Sequence, residues 1–132
     1  MLTKKKHILA TEKSPEIILD PKGFITIRGR CMEENVTSCS EPILNWINEY
    51  RHDPAEITCI DIHLEYVNEF HSGILLSLLK EFLFIITQNK KLIINWYYED
   101  GDEDIFEQGE YLSSVLGFPF NFIGTAEHAI VR

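Results

Sequence analysis

The chain carries little positive charge for its length. Lys and Arg together number 12 among 132 residues, against 21 Asp and Glu, so the formal net charge is -9 at pH 7. A protein this acidic is repelled by nucleic-acid phosphates and by anionic membrane surfaces. The basic cluster Lys4-Lys5-Lys6 is too short to reverse that balance. We therefore expect no nucleic-acid binding and no binding to anionic membranes.

No apolar run is long enough to span a membrane. The longest, at 74–86, has 13 residues and contains Lys80 and Glu81, whereas a membrane helix needs about 20 residues. The basic start is not followed by the apolar segment and small-residue cleavage site of a signal peptide. These absences predict a cytoplasmic protein without membrane insertion.

Cysteine and glycine are also sparse, and neither is arranged for chemistry. The number of cysteines is odd, and Cys31, Cys39 and Cys59 lack a C-x-x-C spacing. Both facts argue against a disulfide framework or a zinc site. We expect buried free thiols. The seven glycines are scattered, so no phosphate-binding glycine loop is present, and no hydrolase or zinc-protease motif occurs. The sequence predicts no cofactor and no enzymatic activity.

The length of 132 residues and the hydrophobic content of 45% are typical of one globular domain. Period-2 and helical patterns predict strands at 16–20, 24–28, 57–67, 92–98 and 118–123, and helices at 33–52, from 73 to near 89, and at 105–116. The fold class is α/β: one domain over 1–132, with a mixed sheet of about five strands and three main helices in the order β-β-α-β-α-β-α-β. Residues 1–6 form a basic extension and 125–132 a tail.

The sequence also predicts where the second strand ends, how the first helix begins and which faces of the central strand are covered. Gly29 is expected to close the second strand. Asn35 is a plausible N-cap of the first helix, unless Pro42 marks its true first turn and Ser40 is the cap. The segment 57–67 is apolar enough to be covered on both faces, which is typical of a parallel sheet.

An acidic loop, Glu99-Asp100-Gly101-Asp102-Glu103-Asp104, precedes the last predicted helix. With Asp100, Asp102 and Asp104 as the first ligands of an EF-hand, the sixth position is Ile105 where Gly is needed, so the match fails. A solvated acidic segment that complements the helix dipole is the favoured interpretation. The three aspartates stay weak candidates for a metal site. The alternative function is a small metal- or ligand-binding domain, or an enzyme, that uses 99–104.

The joint between the central strand and the long helix, Tyr66-Val67-Asn68-Glu69-Phe70-His71-Ser72, is the most informative segment. A helix start carries unpaired N–H groups and the positive end of the helix dipole, which suit an anion. A purely structural explanation is that Ser72 caps the helix and Glu69 complements its dipole. It leaves Phe70 unexplained, because an exposed aromatic side chain in a polar turn is typical of a partner contact. We predict a partner-binding surface at Tyr66, Asn68, Phe70 and His71.

Several segments resemble one family. They are Thr11-Glu12-Lys13-Ser14-Pro15-Glu16-Ile17, Ile27-Arg28-Gly29, Glu34-Asn35, Ile43-Leu44-Asn45-Trp46-Ile47, Tyr66-Val67-Asn68, Asn95-Trp96-Tyr97-Tyr98-Glu99-Asp100-Gly101-Asp102-Glu103-Asp104 and Gly109-Glu110. Over roughly residues 8 to 123 the chain resembles the SiaC-type regulatory phosphoprotein family of bacteria. The run from Trp96 to Asp104, with Tyr66-x-Asn68, is the most specific part.

The resemblance implies a fold like the STAS domains of anti-sigma-factor antagonists and a function in partner switching. Family members are phosphorylated on a threonine by a cognate kinase-like ATPase and dephosphorylated by a PP2C-like phosphatase. The unmodified form binds and activates a diguanylate cyclase, which raises cyclic-di-GMP and promotes biofilm formation. The expected partners of this chain are therefore these three classes of protein.

The family's phosphothreonine directly follows the Tyr-x-Asn motif, and that position is Glu69 here. The family's serines that follow the threonine are replaced by Phe70 and His71 in this chain, and only Ser72 keeps a hydroxyl. Three hypotheses result. The chain is fixed near a phosphorylated-like state or binds its partner without regulation; or phosphorylation has moved to Ser72; or the chain is a scaffold whose partner is no longer a cyclase. The first is slightly favoured.

Overall fold

One mixed sheet organises the fold. The computed structural model describes residues 3–31, 37–67 and 69–126, with side chains described at 3–30, 41–66 and 72–126. Over these residues the elements are β1 (Lys6–Ile8), β2 (Glu16–Asp20), β3 (Phe24–Cys31), α1 (Thr37–Tyr50), β4 (Ile57–Val67), α2 (Glu69–Leu83), a 3-10 helix (Phe84–Gln88), β5 (Lys91–Glu99), α3 (Glu103–Leu116) and β6 (Asn121–Thr125). The strands lie in the sheet in sequence order. The first three are antiparallel and β3 to β6 are parallel, which confirms the α/β class and the mixed sheet.

The sheet has one strand more than the sequence predicted. β1 pairs antiparallel with β2, from Lys6 opposite Leu19 to Ile8 opposite Ile17. It is only three residues long, and a segment this short has too few residues to show a period. The described part of the chain thus forms six strands rather than about five.

The predicted hairpin of β2 and β3 turns at Gly23. Its φ of 107° suits glycine, and a Cβ there would clash with the carbonyl oxygen of Ile57. The expectation that Gly29 closes β3 is wrong, because the strand continues to Cys31 through a register shift between Gly29 and Arg30. Such a bulge keeps the strand paired while it bends.

The first helix contains its proline instead of starting at it. Pro42 is the sixth residue of α1, which begins at Thr37 within the described residues. Ser40 is therefore not the cap, and the other candidate, Asn35, lies outside the described residues. Pro42 has no N–H to donate to the carbonyl four residues earlier, so the first turns of α1 lack one hydrogen bond.

The helices pack on one face of the sheet only. Along β4 the buried residues Thr58, Ile60, Ile62 and Leu64 alternate with residues that are half-buried or exposed. On the buried face the Tyr50 hydroxyl of α1 lies 2.7 Å from Thr58 Oγ1, and α2 contacts both α1 and α3. The expectation that β4 is covered on both faces is wrong, because its other face carries polar side chains that stay partly solvated.

The ends of the later elements are set by residues with left-handed backbone. Asn89 (φ 65°) ends the 3-10 turn that extends α2, and Gly117 (φ 67°) caps α3, as predicted for Gly117. β6 begins at Asn121, three residues later than expected, and pairs parallel with β5.

Among the described helices, none combines the length and apolar character that crossing a membrane requires.

Candidate partner-binding site

The predicted joint after β4 is shorter in the structure than in the sequence-based interpretation. β4 ends at Val67 and α2 begins at Glu69, four residues before the expected start at Gly73. Glu69 is thus the first helical residue, where the positive end of the helix dipole favours a carboxylate. Asn68 and the side chains of Glu69, Phe70 and His71 lie outside the described residues, so their predicted partner contacts stay predictions.

Ser72 joins two helices instead of capping one. It is the fourth residue of α2, its exposed fraction is 5%, and its Oγ donates a hydrogen bond to Gln108 Oε1 of α3 at 3.0 Å. The cap assignment is therefore wrong. The hydroxyl that looked available from sequence holds the start of α2 against α3.

A cleft of about 800 Å³ opens where β4 ends and α2 and α3 begin. Its lining consists of Glu65, Tyr66, Ser72, Gly73, Leu76, Asp102, Asp104, Ile105, Glu107, Gln108 and Tyr111. The cleft therefore combines the end of the predicted joint with the acidic loop, two features that are some 30 residues apart in the chain.

The lining is acidic and includes two exposed aromatic side chains. Among the described residues that line the cleft, four are carboxylates and none is Lys, Arg or His. Tyr66 and Tyr111 are large exposed side chains, with exposed fractions of 48% and 58%. Arg30 reaches Glu65 only at 3.9 Å, and both side chains are 56% exposed, so this ion pair neutralises little of the charge.

The acidic loop serves as the start of α3. Asp102 is the N-cap, and its Oδ1 accepts a hydrogen bond from the Ile105 N–H at 3.1 Å. Glu103 and Asp104 add negative charge to the first turn, as the dipole interpretation predicted. Within the described residues, no group of three His, Cys, Asp or Glu side chains is placed to share a metal ion. The weak metal candidates Asp100, Asp102 and Asp104 thus gain no geometric support.

The packing of α3 on β5 fixes the second wall of the cleft. Trp96 is fully buried, and its Nε1 donates to the carbonyl oxygen of Ile105 at 2.9 Å. Gly109 lies against the same indole ring. Because Gln108 precedes Gly109, this contact sets the position from which Gln108 reaches Ser72.

Comparisons with known proteins agree on one family. A sequence model described as SiaC family regulatory phosphoprotein matches residues 8–125. The chain belongs to the SiaC family. No curated protein matches it.

Solved structures of this family share the fold. A chain of the crystal structure of the diguanylate cyclase SiaD in complex with its activator SiaC from Pseudomonas aeruginosa has a TM-score of 0.82 and 21% identity, covering 91% of this chain and 99% of that one. A structure of SiaC of Pseudomonas aeruginosa has a TM-score of 0.77 and 19% identity, covering 93% and 98%. These similarities confirm the fold of a SiaC-family regulatory phosphoprotein.

The most specific segments of the family resemblance meet at the cleft. Tyr66 lies on one wall, Asp102 and Asp104 on the other, and Trp96 and Gly109 pack behind them. Sequence reasoning missed Glu107, Gln108 and Tyr111 as site residues. Their signal was the i, i+3, i+4, i+7 spacing that starts at Asp104, but the same spacing is typical of any solvated helix face.

The uncovered face of the sheet carries a separate polar cluster. Asn95 Nδ2 donates to Asp61 Oδ1 at 2.8 Å, and Asn121 Nδ2 donates to Asn95 Oδ1 at 3.0 Å, so a ladder crosses β4, β5 and β6. Burial raises the pKa of the nearby Cys59 thiol, and the Asp61 carboxylate raises it further. The thiolate needed for nucleophilic chemistry is therefore scarce at neutral pH. The hydrogen bonds of the cluster join neighbouring strands of the sheet.

Proposed function

We propose that this chain is a non-enzymatic regulator that binds and activates a diguanylate cyclase, and that its control by phosphorylation has been lost. The observation that carries the proposal is that Glu69 is the first residue of α2, and the family resemblance predicts the phospho-acceptor at this same position. The partner class is supported by the similarity over 99% of a chain from the complex of a diguanylate cyclase with its activator.

The physical argument concerns charge at a helix start. A phosphothreonine at the first helical position adds about 1.5 to 2 negative charges, which a kinase and a phosphatase switch on and off. Glu69 supplies one negative charge permanently and has no hydroxyl to modify. A charge of this kind stabilises the helix start by about 0.3–1 kcal/mol. The charge at this position is thus permanent, and we expect partner binding that does not respond to a kinase.

Ser72 is poorly suited to replace the lost acceptor. Its hydroxyl is buried and bonded to Gln108, so a kinase would have to separate α2 from α3 to reach it. The resulting phosphate would also share the cleft with the carboxylates of Asp104 and Glu107, and like charges repel. We therefore favour unregulated binding over a moved phosphorylation site.

The test compares the wild type with Glu69→Thr and Ser72→Ala. Each protein is incubated with the kinase-like ATPase encoded in the same genome and with ATP, then measured by intact mass and by affinity for the diguanylate cyclase of that genome. We expect the wild type and Ser72→Ala to stay unmodified and to bind the cyclase with or without the kinase. Glu69→Thr should gain one phosphate and then lose affinity.

Each part of the proposal has its own contrary result. A phosphate on the wild type that Ser72→Ala removes would show that the acceptor moved. Tighter cyclase binding by Glu69→Gln than by the wild type would show that Glu69 imitates the phosphorylated state. No cyclase binding by any variant would remove the partner assignment. The kinase, the phosphatase and the cytoplasmic location stay predictions.

A further inference from the structure

We propose that the cleft between α2 and α3 binds a basic segment of a partner protein, with a Lys or Arg side chain between its carboxylates and an apolar side chain on its floor. The inference deepens the proposed function and rests on it for the existence of a protein partner. It adds where the partner binds and which chemistry the partner must present.

The shape of the cleft suits side chains of a polypeptide. Its volume of about 800 Å³ is that of a site which encloses several side chains. Leu76 and the buried Ile105 form apolar floor, and Tyr66 and Tyr111 stand exposed at the mouth. Exposed tyrosines beside an apolar floor are typical of interface anchors, because the ring buries area while the hydroxyl stays hydrogen-bonded.

The negative charge of the cleft favours a positively charged group of the partner. Asp104 and Glu107 lie one helical turn apart on α3, and both line the cleft and are exposed. Neither forms an ion pair with any described residue. Two adjacent carboxylates without a cation repel each other, and an incoming guanidinium or ammonium group removes that repulsion. The overall charge of -9 steers the same class of partner towards the surface.

A second copy is a less suitable occupant, because it carries the same net charge of -9 and the two copies repel each other. Lys90 already bonds Glu56 at 2.8 Å, so its transfer to a neighbouring cleft would break one charged contact to form another. A different protein that brings an uncommitted Lys or Arg gains more, and we commit to that occupant.

The first experiment selects binders from a random 12-residue peptide library, without reference to any partner. The targets are the wild type, the cleft variant Asp104→Asn/Glu107→Gln, and the control Glu103→Gln/Glu110→Gln. The control also removes two negative charges, but from exposed positions of the same helix that lie outside the cleft lining. We expect wild-type binders enriched in Lys or Arg next to an apolar residue. Their affinity should fall about tenfold or more for the cleft variant and change less than about twofold for the control.

Every other outcome of the selection counts against the proposal. Binders without basic enrichment, no binders, or equal losses in both variants would show that the cleft is not a basic-peptide site. Sedimentation of the wild type and the cleft variant tests the second-copy alternative. Concentration-dependent dimers that the cleft variant abolishes would identify a second copy as the occupant and overturn the proposal.

The second experiment separates this inference from the proposed function. The affinity of the diguanylate cyclase is measured for the same three proteins at two salt concentrations. We expect the cleft variant alone to lose affinity and salt dependence. Binding by all three proteins with equal affinity would keep the proposed function and reject the cleft. If the wild type binds no cyclase, the proposed function fails while the peptide selection still decides on the cleft.

Discussion

Gly109 of α3 lies directly against the indole ring of Trp96 in β5. A Cβ at position 109 would lie 2.5 Å from Trp96 Nε1, a separation that real side chains do not adopt. Trp96 cannot give way easily, because it is fully buried and its Nε1 is bonded to the carbonyl oxygen of Ile105. The absence of a side chain at Gly109 is therefore what lets α3 lie close to the sheet.

Gly109→Ala should destabilise the protein despite the higher helix propensity of alanine. Alanine is favoured over glycine inside a helix by about 1 kcal/mol, but forcing a methyl group into a packed contact costs about 1–3 kcal/mol or more. The overlap with a buried ring places the cost at the upper end of this range, so we expect a net loss of about 2 kcal/mol in urea unfolding. Ser114→Ala, at an exposed position of α3, should change stability by less than about 0.5 kcal/mol. A Gly109→Ala variant as stable as the wild type would contradict the contact.

The N-cap at Asp102 gives a second prediction. Asp102→Ala removes the acceptor of the Ile105 N–H and should cost about 1 kcal/mol, within the range of about 0.5–2 kcal/mol for lost caps. Asp102→Asn keeps a capping oxygen and should stay close to the wild type. Asp100→Ala is the control, since Asp100 is an exposed acidic residue of the same loop. Equal losses for Asp102→Ala and Asp100→Ala in chemical denaturation would show that only loop charge matters.

His63 on the uncovered face of the sheet makes stability depend on pH. Burial lowers the pKa of His63, and Arg28 lowers it further, against the opposing effect of Glu99 and Glu65. The unfolded chain therefore binds the proton more readily than the folded protein, so stability falls as pH drops from above the ordinary value of 6.5 through the lowered value.

His63→Gln should remove this part of the pH dependence. Unfolding free energies measured between pH 8 and 5, values chosen to span the ordinary histidine range, should fall less steeply for the variant than for the wild type. His52→Gln, at an exposed position after α1, provides the baseline for the loss of one histidine. A steeper fall in the His63→Gln variant would mean that the imidazole is stabilised in its charged form.

The strands and caps with strong local signals were predictable from sequence. β4 has the expected bounds of 57–67, because apolar residues recur along the whole segment and the helix-ending Asp53-Pro54 comes before it. Gly117 ends α3 as expected, because a helix commonly ends at a residue with left-handed backbone and glycine adopts it without strain. The start of α2 was placed too late, because Glu69 to Ser72 carry polar and aromatic side chains that fit a turn as well as a helix.

The cleft itself was only half predictable. Tyr66 and the acidic loop were singled out separately, but sequence patterns do not show that the end of β4 and the start of α3 share one opening. That relation depends on the order of strands in the sheet and on the bond between Ser72 and Gln108. The one-sided packing of β4 was missed although its signal is in the sequence, because Asp61, His63 and Glu65 alternate with buried residues in the period-2 pattern of a half-buried strand.

The sequential strand order has a consequence for how the protein is made. Each described strand from β2 to β6 pairs with the one synthesised just before it, so each of these strands meets an edge that already exists. Neighbouring contacts of this kind favour stepwise folding from the first hairpin onward. The acidic cleft draws its walls from β4, α2 and α3, so a nascent chain acquires it only after the ribosome has passed α3. A truncated product that ends at β5 would keep five of the six described strands and yet lack the wall of the cleft that α3 supplies.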